Sequence, residues 1–220
     1  MNTFFKYGTL FSILAIALCG CKKNENKINF PIPFYAEQTT VVSDTKVYVK
    51  GGLLTDLKKT QELIWTYGRN FKLEQETKIA TEPFLNFISK DSVDFFNTLS
   101  PYVISRNGDM LTMTATIQSL EAAPILQNQL YHHVAKYQIR KNDGNIEISR
   151  NVRIAYGSGY SEYKIPMFAY VTYSWINNPD TRLIRRGGLI INEFNDDVIN
   201  RIGDRDTIVV KRYVLTVKAR

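Results

Sequence analysis

The chain has 220 residues, of which 44% are hydrophobic and 22% charged, with a formal net charge of +7. That suits one domain, or two small ones, with a core that needs no staples; it excludes a disordered chain and a disulfide-bound miniature scaffold. The basic excess gathers toward the C-terminus, in residues such as Arg182, Arg185, Arg186 and Arg212. It is compatible with an acidic surface as partner, although alternating polar positions on solvated strands account for most of it.

In chain order, the first element is the run LFSILAIALCG, residues 10–20, apolar apart from Ser12. A membrane span takes about 20 apolar residues. This shorter run, behind Lys6 and ending in small residues, has the form of a signal-peptide h-region. It closes on Leu18-Cys19-Gly20-Cys21, which holds both cysteines. No further Cys or His follows at metal-ligand spacing, and no C-x-x-C stands beside a βαβ pattern. The four residues resemble the lipobox of bacterial lipoproteins. The resemblance implies cleavage before Cys21, a diacylglycerol thioether on its sulfur, further acylation such as palmitate, and residence in the cell envelope. Export makes a nucleic-acid partner an unsuitable assignment. Lys22 and Lys23 follow the cysteine where surface-displayed lipoproteins carry acids, so the periplasmic face of the outer membrane is the expected location. The expected division is a signal over residues 1–20, a lipidated cysteine and tether over 21–36, and a single β-rich domain over 37–220. Extended at about 3.1 Å per residue, such a tether would hold the domain roughly 40 Å from the lipid.

The rest reads mostly as strands. TKVYVKGGLL is a strand and turn at Gly51-Gly52, and TDLKKTQELIWTYG is a helix capped by Thr55 or Asp56 and stopped by Gly68. FLNFISKDSVDFFN alternates with period two, which predicts a hairpin turning at Lys90-Asp91. YVISRNGDMLTMTATI turns at Asn107-Gly108, with Leu111, Met113 and Ala115 on one face and threonines on the other. LYHHVAKYQIRKNDGNIEISRNVRIAYG predicts a hairpin at Asp143-Gly144, with His132 and His133 on a strand. Strands at PMFAYVTYSWI and TRLIRRGGLIINEF, a short helix at NDDVINRIG capped by Asn195, and a last strand complete the chain. VYVKGGLLTDL and LIRRGGLIINEF share a Gly-Gly pattern, open to reading as a worn duplication or as recurring hairpin chemistry. About ten short strands with frequent turns predict a mainly β fold, an antiparallel meander forming a barrel or sandwich with one or two short helices. Over residues 84–218 this meander, with one helix before the final strand, looks like lipocalin-type barrels of Bacteroidota-type lipoproteins.

Chemistry is harder to find. Adjacent strand histidines point to opposite faces and cannot share one metal or act as one base. There is no G-x-S-x-G elbow and no phosphate loop at Gly157-Ser158-Gly159. Glu74 with Glu76, and Asp196 with Asp197, are carboxylate pairs on paper, the latter explained by a helix start. No catalytic residue, metal site or cofactor is assigned. The candidate ligand-binding residues are Tyr156, Tyr160 and Tyr163, in YGSGYSEYK, because tyrosines spaced by Gly and Ser make adaptable recognition loops. Trp65 and Trp175 could stack on a sugar, although large aromatics usually anchor cores. The expected activity is non-catalytic binding of a small apolar ligand or glycan at a barrel mouth. The alternative is an accessory subunit of an envelope complex, acting through an exposed strand edge or the basic C-terminal strands.

Overall fold

The computed structural model describes residues 28–68, 72–75, 81–96, 98–122, 129–178 and 180–220; for 121, 122, 176–178 and 180–182 it describes the backbone alone. Eight antiparallel strands close into a barrel. In ring order they are β10 (Val152–Tyr156), β6 (Met110–Ala115), β5 (Tyr102–Asn107), β4 (Ser92–Phe95), β3 (Leu85–Ser89), β1 (Ile32–Val49), β13 (Thr207–Ala219) and β11 (Glu162–Asn178). Pairing of Tyr156 with Lys164 joins β10 to β11 and completes the ring. Three elements stand outside it. The two-residue β2 (Gly52–Leu53) pairs with β1, and β12 (Asp180–Ile190) pairs with the distal half of β11. A separate small sheet has the order β7 (Ser119–Ala122), β9 (Ile146–Arg150), β8 (Ile139–Asp143).

The predicted hairpins form. Lys90-Asp91 is a turn as expected, and the other three turns fall one residue from their expected places, at Lys50-Gly51, Gly108-Asp109 and Gly144-Asn145. Gly108 and Gly144 adopt φ of 61° and 63°, and Gly51 and Gly52 lie at 93° and 115°, a region that side chains avoid. The barrel interior is filled by one parity of each strand. Phe34, Leu85, Phe87, Leu111, Met113, Tyr163, Ile165 and Tyr213 are all essentially inaccessible to solvent. Eight-stranded barrels are just wide enough for side chains to fill, and here aromatics do so: Phe34, Phe87 and Tyr163 meet at centroid distances of 5.3–5.5 Å.

Both ends are stoppered. At one, the Arg106 guanidinium lies 5.2–5.9 Å from the rings of Tyr160, Tyr163 and Phe87. At the other sits helix α1, α-helical over Leu57–Leu63 and widening to a π-turn over Ile64–Gly68. The Asp56 carboxylate caps it by accepting from Lys59 N at 3.0 Å. Tyr67 of α1 stacks on Tyr173, 3.7 Å between centroids, and Leu73 is buried beside it, its carbonyl accepting from the Tyr213 hydroxyl.

A second core lies outside the barrel wall. Phe168, Tyr170, Ile208 and Val210 face outward and are covered by Leu130, Val134, Phe194, Val198 and Ile202. Strands β11 and β13 are therefore buried on both faces. The cover comes from two 3₁₀ turns, Leu130–His132 and Asp196–Arg201, the latter capped by Asn195 Oδ1 accepting from Asp197 N at 3.2 Å.

Several expectations are corrected. The domain begins before residue 37: Ile32 to Phe34 pair with β3, and Phe34 is fully buried. His132 and His133 sit on and after a 3₁₀ turn, not a strand, because Leu130 and Val134 fold onto the outer core. Gly51 lies in the turn into β2 and Gly52 begins that strand, whereas Gly187-Gly188 run inside β12, so the two Gly-Gly segments are not duplicates. Glu76 lies outside the described residues, as does Cys21. No described helix is long and apolar enough to cross a membrane.

Candidate functional site in the outer barrel wall

Strand parity separates the three candidate tyrosines. Tyr163 points into the barrel, fully buried, its hydroxyl donating to Gly159 O at 2.5 Å and accepting from Arg106 Nη1 at 2.9 Å. Tyr160 folds over the same barrel end, edge-on to Phe30 and Phe87 at 5.5 and 5.3 Å. Tyr156, opposite Lys164 on the outer face, points the other way. The turn between them is tight: a Cβ at Gly157 would collide with the Glu162 carbonyl and the Tyr163 ring, and Gly159 has φ of 69°. The structure thus brings Tyr160 and Tyr163 together under Arg106 and sets Tyr156 apart, in a groove.

That groove, of about 520 Å³, runs along the outside of the barrel. Its floor is the outward parity of β10, β11 and β13, namely Tyr156, Lys164, Pro166, Arg212 and Val214; its walls are Val42, Lys136 and the segment from Asn192 to Asp197. Asn192 fixes the wall. It is 2% exposed, and its amide donates to Tyr137 O and Val152 O, both at 2.8 Å, while Oδ1 accepts from Glu193 N at 2.7 Å. Glu193 is held by two donors, the Tyr156 hydroxyl at 2.5 Å and Lys136 Nζ at 2.8 Å. Arg212 pairs with Asp196 at 2.5 Å and lies 5.0 Å from the Phe194 ring; its Nε is buried without a hydrogen-bond partner among the described residues.

These contacts set the protonation states. Burial pushes the Tyr156 phenol up, and the Glu193 carboxylate beside it adds to the shift, so the hydroxyl keeps its proton and donates. Burial alone would raise Glu193, but the hydrogen bonds from Lys136 and Tyr156 outweigh it and hold the carboxyl below its usual range. Lys136 is raised by its hydrogen bond and charge pairing with Glu193. A carboxylate already saturated by two donors is a poor proton acceptor, so this trio braces the groove wall. The floor is mixed, with Pro166 and Val214 set among Tyr156, Lys164 and Arg212, so the groove has both apolar surface and fixed donors and acceptors.

Other sequence candidates lie elsewhere. Burial, then the nearby Arg140, His133 and Arg186, lowers His132 to about 4; its ring lies tilted against Tyr131, 3.8 Å between centroids, in a smaller cavity of about 210 Å³. Neither tryptophan anchors a core. Trp65 is 67% exposed on α1, and Trp175 lies 5.7 Å beneath the Arg205 guanidinium. Among the described residues, no group of three His, Cys, Asp or Glu is placed to hold a metal ion. Glu193, Lys136 and Arg212 were invisible as site residues in the sequence, because they meet across 57 and 19 positions and only the folded wall brings them together. The buried Asn192 was the one available signal, a polar residue ending an apolar strand.

No family model, no curated protein and no solved structure matches the chain.

Proposed function

We propose that the protein is a lipid-anchored, non-catalytic binding module of the cell envelope that holds a short glycan in the outer-wall groove. The groove carries this reading. Its volume of about 520 Å³ lies within the range of roughly 300–1,000 Å³ usual for small-ligand sites. Pro166, Val214 and Phe194 offer apolar surface for a sugar ring, while Lys164, Asp197 and Tyr156 surround it with hydroxyl partners. A barrel mouth is the poorer choice here, since both ends are stoppered and the interior is packed. The lipid anchor rests on the lipobox at Cys21, which stands nine positions before Phe30, the first of the described residues packed on the barrel core. Nine residues reach about 30 Å at most, which bounds the distance between membrane and barrel.

Titration of the purified protein with a panel of neutral and uronic-acid disaccharides tests the reading by calorimetry. Saturable binding is expected, with loss of binding in Val214→Trp, which fills the floor from the outer face and leaves the interior parity of β13 untouched. Binding that survives in a folded Val214→Trp variant would place the ligand elsewhere.

A further inference from the structure

Nearly every strand of the barrel spends both edges on pairing. β12 does not. Eleven successive residue pairs, from Phe168 with Ile190 to Asn178 with Asp180, join it to β11 without a register shift. Its second edge pairs with nothing among the described residues. An open, regular edge offers unpaired N–H and C=O groups to any extended chain, and proteins normally blunt such edges with bulges or charge. The contrast with β1 is informative. Residues 36–46 of β1 also flank an open edge, but three register shifts interrupt that stretch against β13 and spoil it as a template. β12 has no such bulge; what guards it is charge, Arg185 and Arg186.

The charge on the strand selects the occupant. Arg185 and Arg186 are both exposed and point to opposite faces of the sheet. Leu183 and Leu189 share the Arg185 face and remain 43% and 45% exposed. A second copy paired antiparallel about the strand centre would set arginine against arginine, and like charges directly opposite are destabilising. An incoming strand with acidic residues on both faces is complementary.

We propose that the second edge of β12 accepts an extended acidic segment of a partner protein as an added strand. Main-chain hydrogen bonds give the attachment, and Arg185 and Arg186 read the acidic side chains. This surface lies on a different strand from the groove floor and does not depend on the groove binding anything.

Hydrogen–deuterium exchange on the full-length protein in detergent tests it, with a Glu–Glu–Val–Val repeat dodecapeptide as probe, which carries acids on both faces of a strand, and a Lys–Lys–Val–Val repeat as control. Amides of residues 183–189 should slow by about tenfold or more with the acidic probe alone. Arg185→Glu with Arg186→Glu should keep the melting temperature and transfer that protection to the lysine peptide. No protection in the wild type, equal protection by both peptides, or undiminished protection by the acidic probe in the folded double variant overturns the proposal. Concentration-dependent protection without any peptide assigns the edge to a second copy and overturns it as well.

Discussion

Glu193 shows how a single side chain can hold a groove wall in place. Its two carboxylate oxygens are divided between Tyr156 and Lys136, which come from β10 and from the segment before β8. The folded state holds Glu193 below its ordinary range, so the contribution is present above the unfolded value, about 4.3, and is lost as pH falls through the folded one. Lys136 is raised, so its share is complete below about 10.4 and is lost only as pH rises through its folded value. The difference in melting temperature between wild type and Glu193→Gln should therefore be flat from about pH 5 to 9 and shrink below about pH 4. A difference that grows on acidification would assign the carboxylate a different partner. The same residue marks a limit of sequence reading. Tyr156, Tyr160 and Tyr163 looked alike as letters in one loop, yet alternation along β10 and β11 sends the first outward and the last inward. Parity at a turn depends on how many residues the turn consumes, which the letters alone do not set.

At the scale of elements, most strands were legible because their physics is local. The hairpins β3–β4, β5–β6 and β8–β9 follow from period-two alternation, from Lys90-Asp91 and from Gly108 and Gly144, although the last two turns, Gly108-Asp109 and Gly144-Asn145, lie one residue later than the letters suggest. Capping by Asp56 and the stop at Gly68 placed α1. What could not be read was which faces are buried twice. β11 and β13 carry apolar residues on both sides because the 3₁₀ turns at 130–132 and 196–201 pack outside the wall, and that contact is made across the whole fold. The stopper at the helical end is a non-local device of the same kind. Leu73, the stacked Tyr67–Tyr173 pair and the Tyr213 hydroxyl close the barrel through residues far apart in sequence. Leu73→Ala should cost about 2–4 kcal/mol, since a buried leucine loses both its transfer energy and its packing. Chemical denaturation measures it, and a loss under about 0.5 kcal/mol would mean that the end is held by α1 alone.

For the molecule as a whole, a packed barrel leaves the surfaces proposed for binding on the outside: the groove across β10, β11 and β13, and the edge of β12. Arg185 and Arg186 put part of the +7 balance on the open edge, whereas Lys136, Lys164 and Arg212 in the groove are matched there by Glu193, Asp196 and Asp197. Anchoring at Cys21 would present these surfaces close to a membrane. Growing bacteria fed radioactive palmitate should label the mature protein, and Cys21→Ser should abolish the label; an unlabelled wild-type product would remove the anchor from the account. The claim on which the functional reading turns is that ligand meets the outer wall and never the interior. Methyl-resolved NMR during the disaccharide titration separates the two directly. Val42 and Val214 in the groove should shift with saturation while Leu111, Met113 and Ile165 stay fixed. Shifts at the interior methyls with Val42 and Val214 unmoved would contradict it.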